Sequence, residues 1–297
     1  MDRAHDQSRA RLKPLAQIRG ELRDRELEVG ASAHYDDPAY YGSTYKGRVA
    51  DVSYYVDLGR NIGGPVLEIG TGNGRIALPM ARHGIEVVGL DASRPMLEDF
   101  ARRLKSEPPE VRRLVTLVRG DMRKKKLGRR FPLIICTFNT VLHLFTRPEV
   151  EAFLARVKEH LAPGGLFVVD LSTPQPVDLA RDPNAWHGAP PFKHPTAGRV
   201  RYKELFEYDP VRQVLFVTMK FVPDPARAPE WITPLAHRQF FPAEWEALLH
   251  YNGFDATDVQ GDFAGGPLTA QSDVMIWHAR VRTGARPRTR SRARARA

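Results

Sequence analysis

Between Pro65 and Leu171 the chain alternates short apolar runs with stretches whose apolar residues recur every three or four positions. The runs are Pro65–Ile69 (PVLEI), Ile85–Leu90 (IEVVGL), Val115–Val118, Leu133–Phe138 and Leu166–Leu171 (LFVVDL). Apolar residues at nearly every position, rather than at alternate ones, predict strands buried on both faces. The intervening stretches predict amphipathic helices. Ile76–Arg82 ends before Gly84, and Pro79 near its start would tighten or kink it. A second helix is capped by Ser93, has Pro95 in its first turn, and places Met96, Leu97, Phe100, Ala101 and Leu104 on one face. Glu149–Leu161 carries Val150, Phe153, Leu154, Val157 and Leu161 at the same spacing and stops at Ala162-Pro163-Gly164-Gly165. Buried strands alternating with such helices describe an α/β fold whose mostly parallel sheet is covered on both faces.

The grammar then changes. Residues 172–198 are rich in Pro, Ala and His, and Arg199–Tyr208 and Gln213–Val222 read as two long strands joined at Asp209-Pro210. This is an antiparallel hairpin inserted into the domain, and we delimit the insertion as residues 172–235. Helix and strand patterning returns at Pro242–Tyr251, Phe254–Val259 and Asp273–Val281. One domain over residues 35–282 is therefore expected, preceded by a polar lead-in or lid over residues 1–34 and followed by a tail over residues 283–297. There is no internal repeat.

Composition adds three constraints. At 297 residues, 42% hydrophobic and 27% charged, the chain has an ordinary globular makeup. Its longest apolar run, Phe131–Phe138, is far below the roughly 20 residues of a membrane span. A single cysteine, Cys136, excludes an internal disulfide framework and a multi-cysteine zinc site. The first 30 residues hold six acids and seven bases with no apolar segment, unlike a secretory or organellar leader, so a cytoplasmic protein is expected. The net charge of +10 suggests nucleic acid until it is divided. Residues 280–297 contain eight arginines and no acid, leaving the rest of the chain close to neutral. A run of Arg, Ala, Ser and Pro cannot bury a core and should be disordered; it is either a solvated tail or an arm for a polyanion.

The sharpest chemical signal is Val66-Leu67-Glu68-Ile69-Gly70-Thr71-Gly72-Asn73-Gly74, set between a strand and a helix. Glycines there allow a tight turn and bring a ligand against the main chain and the helix N-terminus. A dinucleotide fingerprint would need a glycine at position 75, which is Arg, and a phosphate-binding loop would need Gly-Lys-Ser/Thr, which is absent. Glu68 lies two residues before the first glycine. His83, His160, His187 and His194 show no metal-ligand spacing, so no metal is expected.

This acid–glycine pattern resembles the first motif of the class I S-adenosylmethionine (SAM) dependent methyltransferases. Further elements follow in the family's order over roughly residues 35–282. Asp91 ends the second strand, 17 residues after Gly74, where the family places an acid on the ribose hydroxyls. Gly120-Asp121-Met122 follows the third strand, where the family binds adenine. Phe138-Asn139-Thr140 ends the fourth, beside the methyl donor, and Leu161–Gly165 matches the turn before the fifth. The resemblance implies a Rossmann-like, seven-stranded sheet with a reversed hairpin at its C-terminal end, and SAM as cofactor. It assigns Glu68, Gly70, Gly72, Gly74, Asp91, Asp121, Met122 and Asn139 to donor binding, with Glu68 ordering the loop or meeting the donor's ammonium group. Carboxylates suit hydroxyl and amine donors because charge on the acceptor strengthens the bond.

The stretch Phe138–Leu144 further resembles the Asn-Ser-x-x-His-Leu segment of glycine and sugar-amine N-methyltransferases. That likeness implies that Asn139 and His143 face the acceptor, His143 taking a proton. It also implies that Tyr41 and Tyr45 form a lid, Tyr45 toward the donor and Tyr41 toward the acceptor. Arg238 is either a ligand for an acceptor carboxylate or a structural arginine. A small-molecule acceptor with a reactive nitrogen or oxygen is expected. Methylation of base amines is disfavoured by the lack of an Asp/Asn-Pro-Pro-Tyr/Phe motif after the fourth strand. A cytosine-directed nucleophile is disfavoured because Cys136 sits inside an apolar strand. Two other readings stay open: an RNA methyltransferase using the tail and Arg123–Arg130, and a non-catalytic SAM-binding partner protein.

Overall fold

A computed structural model of the protein describes residues 24–224 and 229–283. The earlier part of the expected lead-in (residues 1–23) and nearly all of the Arg-rich tail (residues 284–297) lie outside the described residues. Residues 24–30 are helical, followed by a 3-10 turn Ala33–Tyr35 and helices Pro38–Tyr45 and Ala50–Ile62. The strands are β1 (Val66–Ile69), β2 (Val87–Asp91), β3 (Val115–Arg119), β4 (Phe131–Cys136), β5 (Leu161–Ser172), β6 (His187–His194), β7 (Gly198–Asp209), β8 (Val214–Pro223), β9 (Trp231–Arg238), β10 (Phe254–Gln260) and β11 (Val274–Val281).

The main sheet has seven strands in the order β10-β11-β5-β4-β1-β2-β3. β1 to β5 run parallel, and β11 is the reversed strand, antiparallel to both β5 and β10. This is the mostly parallel α/β sheet that the apolar runs predict. Two buried clusters lie on its two faces. One is built around Phe153, Phe167, Trp245 and Phe254, the other around Tyr55, Met80, Phe100 and Ile135. The order in which strands are added reverses between β1, beyond which β2 and β3 lie to one side, and β4, beyond which β5 lies to the other. In open α/β sheets ligands bind outside the carboxyl ends of the strands at such a switch point.

Two details differ from the sequence reading. The helix Arg147–His160 passes directly into β5, so Ala162–Gly165 lies within the strand's span, marked by a shift in its register against β4. The insertion is a four-stranded antiparallel sheet, β6-β7-β8-β9, in which the expected hairpin supplies only the two central strands. It also runs on to Arg238, beyond residue 235. The flanking strands were illegible because they carry Pro190, Pro191 and Pro234, and edge strands tolerate a residue that cannot donate to the ladder. Val200, Tyr202, Met219, Phe221 and Trp231 of this sheet pack together with Tyr40, which belongs to the helix Pro38–Tyr45. The insertion and the N-terminal segment are thus fastened to each other.

The first helix of the main layer, Ala77–Arg82, follows a loop whose last glycine serves packing. Gly74 has φ +81°, and a Cβ there would run into the ring of fully buried Phe100. Gly74→Ala should therefore destabilise the fold by about 1–3 kcal/mol, from overpacking and backbone strain together. Urea unfolding measures this; an unchanged midpoint would contradict the packing role.

Candidate active site

A cavity of about 870 Å³ lies at the switch point, bounded by the ends of β1, β2 and β4 and by the N-terminal segment. Its donor-side wall is the glycine loop. Gly70 (φ +76°) and Gly72 (φ +54°) hold left-handed conformations open to glycine at little strain. The N–H groups of Gly70 and Thr71 both donate to the carbonyl of Leu90, at 2.8 and 3.2 Å, tying the turn to the end of β2. Asp91 completes the tie. Its Oδ2 accepts the N–H of Gly72 at 2.7 Å and its Oδ1 that of Ser93 at 2.7 Å. Burial raises the Asp91 pKa, while these backbone donors act to lower it.

Glu68 lies beneath the loop, 1% exposed, and accepts the Thr71 hydroxyl at 2.6 Å. Burial pushes its pKa up to about 8, against the opposing pull of Thr71 and Arg75. Arg75, directly after the loop, donates both terminal nitrogens to Asp51, at 2.8 and 2.6 Å, and stands 4.8 Å from the centre of the Phe138 ring. On the opposite wall, Asp121 and Met122 line the cavity after β3. Asp121 accepts the Arg123 side chain, with Nη2 at 2.8 Å and Nε at 2.9 Å, and these bonds lower its pKa. Arg123 also pairs with Glu149.

The far end is made of aromatic and imidazole rings. His143, in the 3-10 turn Thr140–His143, lines the cavity with Nε2 2.6 Å from the Tyr35 hydroxyl, and the His237 ring lies 5.0 Å behind it. Burial lowers the His143 pKa to about 4 and raises that of Tyr35. At neutral pH the imidazole is uncharged and the phenol keeps its proton. The pair can accept and donate hydrogen bonds without carrying charge into the cavity.

Not every residue singled out in the sequence reaches the cavity. Glu68, Gly70, Gly72, Asp91, Asp121, Met122, Tyr41 and His143 line it; Gly74, Tyr45, Asn139 and Arg238 do not. Tyr45 stands behind, 4.8 Å from both the Tyr41 and Phe138 ring centres, with its hydroxyl 3.2 Å from His34 Nε2. The Asn139 side chain turns to Ser172, donating to its hydroxyl at 2.9 Å and accepting its N–H at 2.7 Å. Arg238 is held by Glu244 at 2.5 Å and lies over Phe240. Tyr35, Thr71 and Arg75 were missed. Thr71, between two loop glycines and three residues from Glu68, and Arg75, the cation directly following the loop, had a local signal; Arg75's partner Asp51 and the Tyr35–His143 contact join residues far apart in sequence.

The basic run Arg123–Arg130 is largely engaged within the molecule. Arg129 pairs with Glu86 at 2.8 Å, and Arg130 donates to the Leu161 carbonyl at 2.9 Å. Cys136 is free and fully buried. Among the described residues no group of three or more His, Cys, Asp or Glu could hold a metal ion, and no helix is long and apolar enough to cross a membrane.

Residues 66–165 match the family model described as "Methyltransferase domain". A dTDP-3-amino-3,4,6-trideoxy-alpha-D-glucopyranose N,N-dimethyltransferase of Streptomyces venezuelae is 31% identical over 129 residues, covering 43% of this chain; the match spans about half of that enzyme, 51%. The structure of the CcbJ methyltransferase from Streptomyces caelestis superposes with a TM-score of 0.68 at 25% identity, covering 80% of this chain and 97% of that one. The glycopeptide N-methyltransferase MtfA complexed with SAM superposes with a TM-score of 0.56 at 25% identity, covering 78% and 86%. The glycine loop lies inside the matched segment and the seven-stranded sheet agrees with these likenesses: residues 66–165 are a methyltransferase domain, and the fold is that of the SAM-dependent methyltransferases.

Proposed function

We propose that the protein methylates an amine nitrogen of a small metabolite, with SAM as donor, in the cytoplasm. The observation that carries the reading is the cavity itself. One end offers carboxylates and a glycine turn without a phosphate cradle, and the other an uncharged imidazole–phenol pair. The likeness to a sugar amine and a glycopeptide N-methyltransferase supports nitrogen over oxygen. A single, buried, free cysteine fits a reducing compartment.

The residues present suit the donor. Gly72 leaves the main chain open to close approach, since a Cβ there would meet only the tip of Met96, while the missing side chain of Gly70 makes room for Thr140. Asp91 is fixed by two backbone donors, so a carboxylate is already in place for ribose hydroxyls. Asp121 and Met122 offer an acid beside an apolar surface for adenine. Glu68 beneath the loop and Arg75 directly after it are the acid and the cation that line the cavity beside the loop for the amino-acid end. SAM supplies a methyl group already activated by its sulfonium. The protein's share of the reaction is alignment, exclusion of water and handling of the proton. Tyr35 and Tyr41 close the cavity toward the N-terminal segment. His143 stays unprotonated at neutral pH, able to orient the acceptor nitrogen through Tyr35 and to receive its proton.

Asp91→Ala should abolish measurable SAM binding, because it removes both the ribose acceptor and the bond that holds Gly72. Calorimetric titration checks this; an unchanged affinity would overturn the assignment of the acid ending β2. A second outcome concerns pH. Glu68, with a pKa pushed up to about 8, is mostly protonated at pH 7. A cationic donor favours the ionised carboxylate, so binding should release a proton and affinity should rise from pH 6 to pH 8 and then level off. Glu68→Gln should flatten that profile. A wild-type affinity independent of pH over this range would contradict the role of Glu68.

A further inference from the structure

The helix Ala50–Ile62 lies outside the glycine loop and the strand-end motifs and does not line the cavity, yet it bonds two side chains, those of Arg75 and Asp170, that stand at or behind the cavity wall. Asp51 and Tyr55 are four residues apart and so share one face of that helix. Asp51 takes both terminal nitrogens of Arg75. Tyr55 is fully buried and donates its hydroxyl to Asp170 Oδ1 at 2.6 Å. The other oxygen of that carboxylate, Oδ2, accepts the N–H of Phe138 at 2.5 Å. Asp170 stands near the end of β5, 3% exposed, and is not among the residues lining the cavity. Tyr55 has no route to solvent, and one acid therefore joins a buried helix to the end of β4.

What it holds there is strained. Phe138 and Asn139 have φ of +54° and +67°, the left-handed region that side-chain-bearing residues seldom occupy. Such conformations persist only where the surroundings over-determine them. The Phe138 ring faces Arg75 at 4.8 Å and the Tyr45 ring at 4.8 Å, so the turn also sets how the glycine-loop cation and the lid tyrosines pack. The Phe138–Thr140 corner then delivers His143 to the far end. A carboxylate is the group suited to this position, because its two oxygens accept from two separate donors at once.

We propose that Asp170, held by Tyr55, is a positioning residue that clamps the left-handed Phe138–Asn139 turn and thereby sets donor affinity without touching the donor. The proposal rests on the donor site described above. Its consequence is that loss of the clamp lowers the fraction of molecules with a formed cavity, and apparent affinity falls with that fraction.

The test uses the full chain, with S-adenosylhomocysteine as the calorimetric probe and the Phe138 amide followed by NMR. In the wild type that amide should resonate well downfield, as a donor to a carboxylate at short range. Asp170→Ala should move it upfield and weaken probe binding about ten- to a hundredfold, the range for a lost bond to a charged group. Asp170→Asn keeps an acceptor for the amide and should recover much of the affinity, which a loss of bulk packing would not explain. Tyr55→Phe removes one oxygen and should weaken binding less; in combination with Asp170→Ala it should add little. A folded Asp170→Ala with unchanged affinity and an unmoved Phe138 amide overturns the proposal. Should Asp170→Ala fail to fold, Tyr55→Phe decides in its place: unchanged affinity and an unmoved amide overturn the clamp. Failure of the wild type to bind the probe sinks the donor reading instead, and the amide shifts then judge the clamp alone.

Discussion

The bond from the Gly72 N–H to the Asp91 carboxylate is the interaction on which the cavity depends. It ties the glycine loop after β1 to the end of β2, beside the switch point between β1 and β4. A hydrogen bond to a charged group is worth about 1.5–3 kcal/mol. Here two such bonds converge on one partly buried carboxylate, since Ser93 donates to the other oxygen. They fix the acid in place before any ligand arrives, and they hold Gly72 in the left-handed conformation that exposes the main chain. Loop shape and ligand chemistry are therefore set by the same side chain.

The rest of the cavity is organised to keep charge out of its far end. His143 and Tyr35, at that end, are driven by burial toward their uncharged forms at neutral pH. Elsewhere in the wall Arg75 is paired with Asp51, and Asp121 with Arg123. That division suits transfer of a methyl group from a cationic donor to a neutral nucleophile. The donor end supplies compensating carboxylates, while the acceptor end offers hydrogen bonds with no charge to favour protonating the nucleophile. The four-stranded inserted sheet contributes by fastening Tyr40, and with it the segment that carries Tyr35 and Tyr41, over the opening.

Much of this was legible in the chain. Five strands could be read because burial on both faces makes them apolar at nearly every position, and acids closing such runs, as at Asp91, stand out. Gly70 and Gly72 could be read because their spacing fits one loop and not its rivals. What could not be read falls into two kinds. β6 and β9 carry prolines that an edge strand tolerates but a pattern search takes for loop. Side-chain orientation was the second: Asn139 and Arg238 have suitable chemistry, yet their polar groups are engaged by Ser172 and Glu244. Asp170 shows the converse, sitting inside the apolar run LFVVDL and meeting its partners only through the fold.

The central claim is that the cavity at the switch point is built for a sulfonium nucleoside and not for a dinucleotide. Parallel calorimetric titration of the protein with SAM, S-adenosylhomocysteine and NADH tests it most directly. The account predicts micromolar binding of the two sulfur compounds and none of NADH. Binding of NADH alone would contradict it.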